Sequence, residues 1–132
     1  MIVEEFLGTN LLDWKLFVYD GKVHFVDVHF DRFIHHTRNL YDRNLNRLPV
    51  RLVYDNHPEE PVFPHNIQLM YSMAETLGRG LDFIRVDMYN INGRIVLGEL
   101  TNYSDAGLGP FDPPEFDKIF GEPWHLPMPT KG

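Results

Sequence analysis

The sequence predicts an α+β domain built on an antiparallel sheet with packed helices. Three observations carry this. Two pairs of strand-like runs are joined by Asp20-Gly21 and Asn92-Gly93. Such dipeptides favour two-residue hairpin turns, whose central residues take positive φ. Between the hairpins, Ile67, Met70, Tyr71, Ala74 and Leu77 recur at helical spacing and form one apolar stripe. With 132 residues, 43% hydrophobic and 14% aromatic, the chain has enough apolar area for one core. A single domain is expected over residues 1–126, followed by an extended tail over 127–132.

The elements follow in order. Ile2 to Leu7 reads as a short strand closed by Gly8-Thr9-Asn10. Trp14 to Tyr19 and Lys22 to Val28 form the first hairpin. Simple alternation puts Val23, Phe25 and Asp27 on one face, and His24, Val26 and Val28 on the other. Residues 29–62 are less regular, and Asp55 to Pro61 reads as a polar surface connector. The helix spans Pro64 to Gly80. Asn66 is its expected N-cap, and Gly78 or Gly80 its left-handed terminator. Phe83 to Ile91 and Arg94 to Leu100 form the second hairpin. Pro113 to Phe120 can form a short helix, with proline in its first turn. The end of the chain is Pro-rich.

The net charge is −7, from 12 Lys+Arg against 19 Asp+Glu. A general nucleic-acid binder needs the opposite footprint. The absence of cysteine removes disulfide scaffolds, thiol nucleophiles and cysteine zinc sites. No apolar run is long enough for a membrane span, and no secretory leader is visible. A cytoplasmic protein without membrane insertion is expected.

The most informative feature is Arg85-x-Asp87 followed by Glu99-x-Thr101-Asn102. Two carboxylates on neighbouring strands, beside a cation, suit Mg²⁺ held together with phosphates. The simpler reading is a salt bridge on an edge hairpin. Register decides the geometry. With a tight turn at 92–93, Asp87 faces Gly98 and Arg85 faces Leu100. A one-residue bulge instead puts Asp87 opposite Glu99. A histidine-rich stretch also invites a metal: His24, His29, His35 and His36 accompany Asp27 and Asp31. His29-x-Asp31 could place two ligands on one face, but polar residues on a solvated strand and loop are the favoured reading. A serine triad from Ser72 or Ser104 lacks the nucleophile-elbow context, and no Walker A loop is present.

FIRVDMYNINGRIVLGEL followed by TNYSDAGLG resembles the metal-binding hairpin of ATP-grasp enzymes, and more closely that of the TupA-like, teichuronopeptide-biosynthesis group. DWKLFVYDGKVHFV, DRFIHHTRNLYDRNLNRLP and VEEFL resemble further segments of that group. The likeness runs from about Ile2 to Trp124. It implies the C-terminal half of an ATP-grasp fold with ATP and Mg²⁺ as cofactors. Asp87 and Glu99 would ligate Mg²⁺. Thr101 stands where many relatives carry a metal-binding asparagine, with Asn102 adjacent. Arg85 would contact the transferring phosphate. Glu4, Glu5, Phe6 and Leu7 would flank adenine, and Asp13 would meet the ribose. Lys15, Arg32 and Arg38 would contact phosphate or a carboxylate substrate.

The implied reaction is ATP-dependent ligation of a carboxylate to an amine through an acyl phosphate, in cell-surface polysaccharide or peptide-polymer synthesis. A full ATP-grasp enzyme also has a preceding half with nucleotide-binding lysines and a Gly-rich loop. The alternative is therefore a non-catalytic remnant or binding subunit. A homo-oligomer, or a partner chain covering the missing half, is expected.

Overall fold

The computed structural model describes residues 12–30, 37–52, 56, 58, 60–101 and 111–112. The expected strand at 2–7, the short helix at 113–120 and the tail at 127–132 lie outside these.

Among the described residues the main sheet has five strands: β1 (Asp13–Tyr19), β2 (Lys22–Phe30), β3 (Thr37–Asp42), β5 (Phe83–Ile91) and β6 (Arg94–Thr101). They pair antiparallel in the order β3-β2-β1-β5-β6. A two-stranded ribbon pairs β4 (Arg51–Leu52) with β7 (Phe111–Asp112). Both expected hairpin turns form. Asp20 and Gly21 have φ of 50° and 77°, and Asn92 and Gly93 have 55° and 90°.

One helix, α1 (Ile67–Leu77), is present among the described residues, so a set of packed helices is not seen there. Ile67, Met70, Tyr71 and Ala74 are buried, whereas Leu77 is partly exposed. They pack on Trp14, Leu16, Val18, Val26, Val28, Ile84, Val86 and Met88, which form the back of the sheet. Gly80, at φ 84°, is the left-handed residue after the helix; Gly78 is not. Asn66 makes no side-chain cap. Its Nδ2 instead donates to the Gly93 carbonyl at 2.9 Å, and its Oδ1 accepts from Asn90 at 2.9 Å. The residue thus ties the helix start to the second hairpin.

Two findings depart from simple alternation. Val18 pairs with Val23 and Phe17 with Phe25, so His24 is an extra residue, a β-bulge. The bulge moves Val23 to the back of the sheet with Val26 and Val28, and leaves Phe25 and Asp27 on the front. The Val23 N–H beside it donates to Glu75 on α1 at 2.8 Å. The second departure is β3, which falls where the sequence looked irregular. Five of its six residues are buried, so it shows no polar alternation.

The front of the sheet has two zones. Phe17, Tyr19, Phe25, Leu40 and Phe83 form a second apolar cluster with Val50 and Leu48. The other zone carries charge.

Candidate functional site

Strand pairing brings the charged residues of the front face into one row. Asp27 on β2 opposes Lys15 on β1, Lys15 opposes Asp87 on β5, and Asp87 opposes Glu99 on β6. The first two pairs join opposite charges and stabilise the ladder. Asp87 opposite Glu99 instead sets two carboxylates side by side, which is unfavourable unless a cation lies between them. Asp13, His29 and Arg38 share this face by period two.

The row exists on its β6 side because of a second bulge. From the turn, Ile91 pairs with Arg94 and Met88 with Leu97. Beyond the register shift, Asp87 pairs with Glu99 and Arg85 with Thr101. Gly98 is the extra residue, which decides between the two registers open from sequence. Glycine fits there for a steric reason: a Cβ on residue 98 would stand 3.3 Å from the Asp87 carbonyl oxygen.

Asp87 is the centre of the cluster and is only 4% exposed. Lys15 Nζ donates to its Oδ2 at 2.9 Å. Arg85 donates from Nε to Oδ1 at 2.9 Å and from Nη2 to Oδ2 at 3.0 Å. Burial nevertheless raises the Asp87 pKa above the ordinary aspartate value, because the two cations lower it by less than desolvation lifts it. Lys15 also pairs with the buried Asp13 at 3.1 Å. Thr101 is buried, with its hydroxyl 3.4 Å from Arg85 Nη2. Glu99 is exposed.

A second buried group adjoins the first. Asp27 is fully buried. Arg38 donates to both its carboxylate oxygens, from Nε to Oδ1 at 3.1 Å and from Nη2 to Oδ2. His29 Nε2 lies 3.1 Å from Oδ2. Burial is the largest single influence on Asp27 and pushes its pKa up. The charges and hydrogen bonds of Arg38 and His29 together outweigh it, so the carboxylate is held below the usual range. The favoured reading of these residues as solvated is thus corrected: Asp27 and His29 are buried, and their strand lies between two others. The signal available was Asp27-x-His29, two polar residues on one strand face, with Arg38 to match.

The structure therefore brings together Lys15, Arg85, Asp87, Glu99, Thr101 and Asp13, and sets Arg38 beside them on Asp27. Glu4, Glu5, Phe6, Leu7, Arg32 and Asn102 lie outside the described residues, as do Asp31, His35 and His36. Among the described residues no group of three or more His, Asp or Glu is arranged to hold a metal ion by itself. The opposed pair Asp87 and Glu99 does fit Mg²⁺ shared with a phosphate ligand, since Mg²⁺ takes one or two carboxylates and fills its remaining positions with water and phosphate oxygens. The two nearby cations fit the phosphates. A cleft of about 740 Å³ lies elsewhere, near the start of α1, lined by residues including Trp14, Phe63, His65 and Asn90. Among the described residues no helix is long and apolar enough to cross a membrane.

No curated protein and no solved structure matches the chain. A family model described as TupA-like ATPgrasp matches residues 2–125, which include both hairpins and the whole charged row. The chain belongs to the TupA-like ATP-grasp family.

Proposed function

We propose that this chain binds Mg-ATP on the charged front of its sheet and serves ATP-dependent ligation of a carboxylate to an amine. The observation that carries the reading is the Gly98 bulge, which sets Asp87 opposite Glu99 beside Lys15 and Arg85. Family membership supplies the chemical context.

In this reading Asp87 and Glu99 hold Mg²⁺, and the Thr101 hydroxyl, with Asn102 after it, borders that site. ATP supplies the phosphoryl group that activates the carboxylate, and Mg²⁺ offsets the charge of the phosphates. Lys15 and Arg85 do what positioned cations do in phosphoryl transfer: they orient the phosphates and stabilise charge as it develops. Asp13 holds Lys15 at the site from one side, as Asp87 does from the other, and by family resemblance would meet the ribose. Arg38 keeps Asp27 ionised at the β2 end of the row, leaving Lys15 its place between two acidic residues on neighbouring strands. By family resemblance Glu4, Glu5, Phe6 and Leu7 would flank the adenine and Arg32 would add a further cation; these five lie outside the described residues. A role in cell-surface polysaccharide or peptide-polymer synthesis, in the cytoplasm and with a second copy or partner chain, completes the reading.

Thermal unfolding with and without MgATP tests it. Ligand at a hundredfold excess over its Kd stabilises the folded state by about 2.7 kcal/mol, which moves Tm by several degrees. Glu99→Gln, on an exposed side chain, should abolish that shift while leaving the unliganded Tm in place. An unchanged shift in Glu99→Gln counts against the site.

A further inference from the structure

We infer that Lys15 and Arg85 act as an internal clamp, closing Asp87 to free divalent cations until a polyphosphate anion draws them away. This rests on the Mg-ATP reading and adds an order of binding to it: anion first or together with the metal, the metal alone being held only weakly.

Both Asp87 oxygens are already occupied. Arg85 Nε holds Oδ1 at 2.9 Å, while Lys15 Nζ and Arg85 Nη2 hold Oδ2 at 2.9 and 3.0 Å. The residue is only 4% exposed, so a hydrated ion has little open carboxylate to approach. A divalent cation must displace at least one of the two positive groups, and it is repelled by whichever stays.

The clamp is built to release. The side chains of Lys15 and Arg85 keep 13% and 14% exposure, unlike Asp87 at 6%. Both are long side chains on rotatable stems, which a carboxylate on a short stem is not. Asp13, 3.1 Å from Lys15 Nζ, keeps that cation at the site when it leaves Asp87. A polyphosphate offers the two cations more negative charge than one carboxylate does, and Arg85 can meet it with two parallel hydrogen bonds. Asp87 is then freed toward Glu99, and the metal site appears only when there are phosphates to share it. A chain working this way does not take up Mg²⁺ uselessly in the absence of nucleotide.

The test is titration with Mn²⁺ alone, as a paramagnetic substitute for Mg²⁺, with free ion read by electron paramagnetic resonance. The wild-type chain should bind Mn²⁺ weakly. Lys15→Met should bind it roughly tenfold more tightly or better, because one positive charge has left the immediate surroundings of the carboxylate. Adding Asp87→Asn to Lys15→Met should erase the gain. Arg85→Gln, at a similarly exposed position, takes the place of Lys15→Met if circular dichroism shows that variant unfolded. Wild type and cation-deleted variant binding Mn²⁺ equally well overturns the clamp, as does a gain that survives Asp87→Asn. No nucleotide enters this titration. A separate MgADP titration of the wild type reports on the Mg-ATP reading, so the two ideas fail independently.

Discussion

Arg38→Met should destabilise the fold strongly, and in a manner that depends on pH. Asp27 is fully buried, and Arg38, itself 5% exposed, holds both its carboxylate oxygens. Methionine keeps the apolar stem and removes the charge. His29 Nε2, 3.1 Å from Oδ2, then remains beside the Asp27 carboxylate. Breaking a buried pair by removing one partner costs about 3–5 kcal/mol, far more than an exposed ion pair is worth. For a chain of 132 residues, that is a fall in Tm of roughly 10–20 °C. Urea unfolding followed by tryptophan fluorescence reads it, because Trp14 sits in the core at 3% exposure.

The sign of the pH effect follows from the Asp27 pKa. In the wild type it is lowered, so the ionised carboxylate contributes stability. That contribution is full above the unfolded value of about 3.9 and is lost as pH falls through the folded value. Without Arg38, burial dominates and the folded pKa rises above 3.9. The charged form then destabilises the fold at neutral pH, and the penalty fades as pH falls. The gap between wild type and Arg38→Met should therefore narrow between about pH 7 and about pH 4.5. Asp27→Leu in the same chain should recover much of the loss, since it removes the stranded charge. A loss under about 1 kcal/mol, or a gap that does not change with pH, refutes the reasoning.

Two further substitutions probe the frame of the site. Gly98→Val should cost about 1–3 kcal/mol in urea unfolding, because its Cβ meets the Asp87 carbonyl at 3.3 Å, and it should weaken nucleotide binding by moving Glu99 off Asp87. Met70→Ala should cost about 2–5 kcal/mol with nucleotide affinity unchanged, since Met70 is fully buried on the back of the sheet, away from the charged row.

The turns and the helix were legible because local chemistry decides them. Asp20-Gly21 and Asn92-Gly93 take the positive φ that few other pairs accept, and the stripe from Ile67 to Ala74 needs only its own spacing. The bulges were not legible as facts, although one was open as an alternative. An extra residue at His24 leaves no local mark, and Gly98 leaves only that of a glycine inside a strand; which register forms is set by what both strands bury, a tertiary constraint. That is why Val23 changed face. The third strand hid for a related reason. Thr37 to Tyr41 are all buried, so no polar alternation announces them. Asn66 was read as a cap by residue type, yet its side chain serves the Asn90 and Gly93 contacts instead. Within the site, Asp87, Glu99, Arg85 and Lys15 were named from sequence and meet in space. Asp27 and His29 were read as solvated, because neither shows from sequence that its strand lies inside the sheet.

Calorimetric titration of the wild-type chain and of Asp87→Asn with MgADP bears most directly on the central claim, that the bulged hairpin forms a phosphate and magnesium site. Saturable binding by the wild type, with affinity lost by roughly tenfold or more in Asp87→Asn at unchanged circular dichroism, is the predicted result. Equal heats of binding from the two chains, or no heat from a folded wild type at millimolar MgADP, would contradict it.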